Sequence, residues 1–153
     1  MSDAEKNLAD LGLTLPEVAK PVAAYVPAVR TGNLVYTSGQ LPFRDGALIA
    51  TGKNGDTVEA DVAVDCARQC ALNGLAAIKA LIGDLGQIKR VVKVVAFVAS
   101  TPDFTGQPQV ANGASELLGQ VFGEAGEHAR SAVGVPVLPL DAPVEVELIV
   151  EVA

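Results

Sequence analysis

Arg130 is the residue whose surroundings ask most plainly for a partner. It stands in Ala129-Arg130-Ser131-Ala132-Val133-Gly134-Val135, a stretch with no other charge that reads as the start of a strand. A guanidinium drawn partly out of water needs an anion, and its planar fork suits a carboxylate gripped by two parallel hydrogen bonds. Two sources of that anion stay open. Glu145 or Glu147, on the neighbouring strand, suits an internal ion pair with Arg130. Either glutamate equally suits orienting a water beside a ligand carboxylate that Arg130 holds.

Other chemistries find less support. His128 is the one histidine, and only Glu124 stands near it at a ligand-like spacing, so no metal site is expected. Ser38 and Ser131 lack the glycine-flanked turn that exposes a nucleophilic serine. Gly52-Lys53-Asn54-Gly55-Asp56 has the wrong glycine spacing for a phosphate loop, and no Ser or Thr follows its lysine; it reads as a surface turn. Cys66 and Cys70 lie four apart on one helical face, too close for a comfortable disulfide and too few for a metal cage. Buried free thiols in a reducing compartment are expected.

The elements that must position these residues follow from period and punctuation. Ala4 to Leu11 reads as a short helix capped by Ser2 or Asp3 and ended by Gly12 and Pro16. Tyr25–Arg30 and Asn33–Ser38 read as a hairpin turning at Thr31-Gly32. A looped region follows, with one short strand around Ala47–Ala50. From Val58 to Leu81 the helical period dominates, with Val62, Cys66, Cys70, Leu72, Leu75, Ile78 and Leu81 forming an apolar stripe. Ile88 to Ser100 is β-branched, with Val92, Val94, Ala96 and Val98 on one face and Val91, Val95 and Phe97 on the other. A second helix is predicted over Gln109–Phe122, and strands over Ser131–Val135 and Val144–Val152.

This order describes one α+β domain over 1–153, with a mixed sheet, two main helices on one face and an N-terminal helical extension over 1–16. The strand at Ile88–Ser100 is apolar on both sides, so a second copy of the chain is expected to cover the other face. The 153 residues carry a formal net charge of −7, four Phe, two Tyr and no Trp, which argues against a polyanionic or base-stacking partner. The acidic start Met1-Ser2-Asp3-Ala4-Glu5 is unlike a signal peptide, and no apolar run approaches the ~18 residues of a membrane span. A soluble cytoplasmic protein is expected, with no membrane and no nucleic-acid partner.

Three blocks in order carry a resemblance. Tyr25 and Gly32-Asn33-Leu34-Val35-Tyr36-Thr37-Ser38-Gly39-Gln40-Leu41-Pro42, then Arg130-Ser131-Ala132-Val133 with Leu138-Pro139, then Val144-Glu145-Val146-Glu147 resemble the successive signatures of the RidA/YjgF enamine/imine deaminase family. The resemblance runs over residues ~20–153. It implies a chorismate-mutase-like α+β fold, a homotrimer and clefts between adjacent subunits. Arg130 matches the arginine that binds the substrate carboxylate, and Glu145 the acidic residue that positions the attacking water. Tyr25 and Ser38 match cleft-lining positions. Asn112 is similar to a further cleft residue, with one extra residue between it and Arg130. Backbone groups over Ser131, Ala132 and Val133 would shape the cleft. Ala132 departs from the many members that carry cysteine there, so thiol-dependent reactivity does not transfer.

The resemblance implies hydrolysis of 2-aminoacrylate-like enamines and their imine tautomers to 2-oxo acids and ammonia, with a small carboxylate as substrate and no cofactor or metal. The alternative is a non-enzymatic trimer whose clefts bind small carboxylates. An endoribonuclease, an activity attached to some relatives, conflicts with the charge and the lone histidine.

Overall fold

The computed structural model describes residues 1–18 and 24–153. After helix α1 (Asp3–Asp10), strands β1 (Ala28–Thr31) and β2 (Leu34–Thr37) form the hairpin. It turns at Gly32, whose φ of 58° is a left-handed conformation that glycine adopts without steric cost. Where one short strand was expected, two residues each from β3 (Phe43–Arg44) and β4 (Ala47–Leu48) make a separate ribbon. Then come α2 (Ala60–Ile82), β5 (Ile88–Ala99), α3 (Gln107–Phe122), β6 (Ala129–Val135) and β7 (Val144–Val152). The main sheet runs β1-β2-β7-β5-β6, antiparallel except for the β5–β6 pair. α3 lies in the crossover that this parallel pair requires.

Along β7, Val144, Val146, Leu148, Val150 and Val152 are buried, while the alternating Glu145, Glu147, Ile149 and Glu151 are half-buried. The first set faces α2, which packs against the sheet on one side and against its neighbour α3 on another, while α3 itself lies against β5 and β6. For that reason α2 is buried almost all round from Cys66 to Ile78, and the expected stripe ends early because Leu81 is 45% exposed. Small residues permit the close layers. A Cβ on Gly74 would lie 2.9 Å from Leu148 Cδ1, and one on Gly113 of α3 would lie 3.0 Å from the Val64 carbonyl carbon. Burial pushes the Cys66 thiol up to about 11 and holds Cys70 well above its ordinary value, so both are unpaired, protonated core residues.

β5 departs from strict alternation. A register shift between Val91 and Lys93 returns Val91 to the helix side with Val94, Ala96 and Val98, so Val92 does not join that buried set. On the other side of the sheet Val95, Phe97 and Ile149 are half-buried, and Val29, Tyr36 and Val133 are 51%, 38% and 46% exposed. At one end of this face Phe97 and Val135 pack with Leu41, Leu48 of β4, Leu138 and Ala142, which leaves the stretch around Val29, Tyr36 and Val133 uncovered among the described residues.

The N-terminal helix is docked. Ser2 Oγ accepts from Glu5 N at 3.4 Å as its cap, Lys79 Nζ of α2 meets Glu5 at 2.6 Å, and Asn7 Nδ2 donates to the Val121 carbonyl of α3 at 2.8 Å. No helix among the described residues is long and apolar enough to cross a membrane.

Candidate functional site

A cavity of about 900 Å³ opens where the β1–β2 hairpin, the β3–β4 ribbon and the turn before β7 converge, lined among others by Tyr25, Ser38, Gly39, Asn73, Leu140 and Glu145. Ser38 follows β2, and its hydroxyl donates to the Val26 carbonyl at 2.6 Å while its N–H donates to Pro27 O at 2.8 Å. These bonds tie the segment carrying Tyr25, itself 49% exposed, to the end of the hairpin. The opposite wall hangs on α2. Asn73 Nδ2 donates to the carbonyls of Leu41 and Phe43 at 3.0 and 3.1 Å, and Asn73 Oδ1 accepts from Gln69 at 2.9 Å. Gln69 in turn accepts from Arg44 Nε at 3.1 Å, and Arg44 Nη2 reaches both oxygens of Asp65.

Two further loops shape the cavity. Leu140 and Asp141 stand at φ 58° and 59°, a left-handed conformation that aspartate tolerates but that is unfavourable for leucine, and Leu140 lines the cavity. The Gly52 N–H holds them by donating to Asp141 O at 2.9 Å. The turn at Gly52–Asp56 is not purely a surface feature. Asn54 is 1% exposed, and its amide donates to the carbonyls of Ala99 and Pro143 at 3.1 Å each, clamping the end of β5 to the entry of β7.

Glu145 projects from the first turn of alternation in β7 toward Gly39, where a Cβ would come within 2.8 Å of the Glu145 carboxyl carbon. Glycine makes room for this carboxylate. Burial raises the Glu145 carboxyl above its ordinary value, and the Glu147 carboxylate adds to the rise. A carboxylate with raised proton affinity is a stronger base toward water.

Arg130 lies elsewhere. It stands level with Val94 of β5 and, beyond it, Leu148 of β7, on the helix side of the sheet; Glu145 is level with Phe97 and Val133 on the other. The internal pair with Glu145 or Glu147 is therefore not formed, because β5 separates them and they face opposite ways. Among the described residues the ion pairs are Arg44–Asp65 and Lys79–Glu5, and neither includes Arg130. Its partners are neutral: Nη1 donates to Asn112 Oδ1 at 2.8 Å and Ser115 Oγ at 3.2 Å, and Nη2 makes a 3.4 Å contact with Pro108 O.

The other predicted residues divide between these two places. Tyr25 and Ser38 line the cavity with Glu145, and Asn112 accompanies Arg130. Ser131 and Val133 lie on the uncovered sheet face, where Ser131 Oγ accepts from Lys93 at 3.1 Å, while Ala132 packs half-buried against the core. His128 meets neither Ser38 nor Ser131; it bonds Ser115, a residue absent from the sequence prediction. Ser115 follows Asn112 by three residues, one helical turn on the same face, and that spacing was a usable signal. Among the described residues no group of three or more His, Cys, Asp or Glu gathers as metal ligands do.

A family model described as "YjgF/chorismate mutase-like, putative endoribonuclease" matches residues 5–152. The chain belongs to this family. Within the YjgF family it is 47% identical over 146 residues to Protein TCP17 of Trypanosoma cruzi, covering 95% of this chain and 91% of that one. It is 35% identical over 131 residues to the 2-iminobutanoate/2-iminopropanoate deaminase of Escherichia coli, covering 84% and 87%. The crystal structure of protein Atu1372 from Agrobacterium tumefaciens superposes with a TM-score of 0.89 at 48% identity, over 97% of this chain and 91% of that one. The mixed α+β fold and YjgF membership thus agree with the resemblance in the sequence.

Proposed function

We propose that this YjgF-family protein hydrolyses 2-enamine and 2-imine acids to 2-oxo acids and ammonia. The observation that carries the reading is Arg130: its guanidinium is held by neutral acceptors, so its charge is left for an anion. A protonated imine is already electrophilic, and the task of the protein is to fix the carboxylate, orient one water and exclude competing nucleophiles. Arg130 grips the substrate carboxylate. Glu145 takes a proton from water as its oxygen bonds to the imine carbon. The resulting carbinolamine breaks its C–N bond, releasing ammonia and leaving the 2-oxo acid. Tyr25, Ser38 and Asn112 bound the site, as do backbone groups over Ser131, Ala132 and Val133. These steps need no cofactor.

Arg130 and Glu145 face opposite sides of the sheet within one chain, so a cleft containing both is built between copies. The uncovered face bearing Val29, Tyr36 and Val133 supports that assembly, which we read as a homotrimer. The free thiols fit a cytoplasmic setting, and the −7 charge disfavours nucleic-acid partners. The deciding experiment generates 2-iminobutanoate in situ from an amino acid and follows 2-oxobutanoate with and without the protein. Faster oxo-acid release is expected; a rate equal to the uncatalysed one removes the deaminase and leaves a trimer that only binds carboxylates.

A further inference from the structure

We propose that His128 acts through Ser115 as a positioning device for the Arg130 guanidinium, holding it ready for a carboxylate. The inference rests on the reading of Arg130 as the anchor. The order of protons follows from the acceptors. His128 Nδ1 lies 2.6 Å from the Gly126 carbonyl oxygen, which can only accept, so Nδ1 carries the ring proton. In the neutral ring Nε2 is then bare, and at 2.8 Å it accepts the Ser115 hydroxyl proton. The hydroxyl oxygen therefore turns its lone pairs to the other side, where Arg130 Nη1 donates at 3.2 Å. Without His128 the hydroxyl loses the acceptor that fixes its proton and can turn instead toward the helix carbonyl one turn back, so its oxygen is no longer held toward Arg130 by that bond.

The placement of the parts suits this role. Ser115 and Asn112 sit one turn apart on α3 and together take Arg130 Nη1. That nitrogen is fixed by two neutral oxygens, while Nη2 keeps only its long contact with Pro108 O. Restraint without neutralisation is what an anchor requires, because a carboxylate in the same place would cancel the charge the ligand needs. Gly126 reaches its post because it packs tightly under α3: a Cβ there would lie 2.8 Å from the Leu118 carbonyl carbon.

The test compares wild type with Ser115→Ala, His128→Leu and His128→Gln, reading thermal stability, the ¹⁵N mobility of the Arg130 guanidinium and the affinity for 2-oxobutanoate by calorimetry. Ser115→Ala and His128→Leu should free the guanidinium and weaken binding about three- to tenfold, the effect of one lost hydrogen bond. His128→Gln restores an acceptor near the Nε2 position and should stay within about twofold of wild type. In an Arg130→Ala background Ser115→Ala should cost nothing further, which a merely structural serine would not satisfy. Folded Ser115→Ala with unchanged guanidinium mobility and affinity overturns the proposal, whatever becomes of His128→Leu. Should imine hydrolysis itself prove absent while these couplings persist, the deaminase reading fails and the positioning role stands.

Discussion

Gly39→Ala tests the placement of Glu145 without touching the carboxylate chemically. The added Cβ would lie 2.8 Å from Glu145 Cδ and 3.0 Å from Cγ. Ordinary carbon contacts lie at roughly 3.5–4.0 Å, so the carboxyl group must retreat by about 1 Å. The backbone does not resist, because Gly39 is not among the residues at positive φ. The half-buried side chain has solvent into which it can swing, and stability should change by less than about 1 kcal/mol. Displacing a proton acceptor by ~1 Å costs on the order of 10²-fold in rate. Imine hydrolysis by Gly39→Ala should fall by that factor while the melting temperature barely moves. In a Glu145→Gln background the same substitution should add almost nothing, since the base is already gone. Wild-type turnover in folded Gly39→Ala, or an equal loss in both backgrounds, would refute the assignment of Glu145 to the water.

Arg130→Lys removes one prong of the grip, worth about 1.5–3 kcal/mol, and should slow turnover ten- to a hundredfold; Arg130→Ala should cost more, with both variants melting near wild type because their lost partners are neutral. Glu145→Gln should lower turnover by ~10²–10⁴, measured by oxo-acid release. The raised carboxyl also sets a sign for stability: the folded state holds this proton to higher pH than the unfolded chain, so ionisation above the ordinary carboxylate range works against folding. Glu145→Gln should therefore melt above wild type at pH 7, and the gap should close as pH falls into the carboxylate range. Sedimentation should give a trimer, and a monomer at micromolar concentration would leave Arg130 and Glu145 without a common cleft. Gly113→Ala should lose about 1–3 kcal/mol in urea, because its Cβ meets the backbone of α2, which cannot swing aside.

The sequence made Arg130 and Glu145 legible for different reasons. Arg130 was visible as a lone charge in an apolar strand, and Glu145 as a polar residue within an alternating one. Their separation was not visible, because which face a residue takes depends on register across three strands. The shift between Val91 and Lys93 has the same origin: a bulge leaves no mark in a run of valines and lysines. The link from Ser115 to His128 joins a helix to the loop before the next strand, beyond the reach of local spacing. Asn54 looked like turn chemistry, and its burial arises from carbonyls of Ala99 and Pro143, far along the chain.

β7 comes after every other strand in chain order yet lies at the middle of the sheet, between β2 and β5. On a ribosome, the hairpin β1–β2 and the unit β5–α3–β6 can therefore form separately but cannot be joined until residues 144–152 have emerged. Until then each half presents an unpaired strand edge, the kind of surface that invites pairing with another nascent chain. Closure is also non-local, since Val35 waits for Val150 and Val98 for Val144. The synthesis of this protein thus contains an interval of exposure whose length is set by translation of the segment from β6 to β7 rather than by the intrinsic rate of any helix.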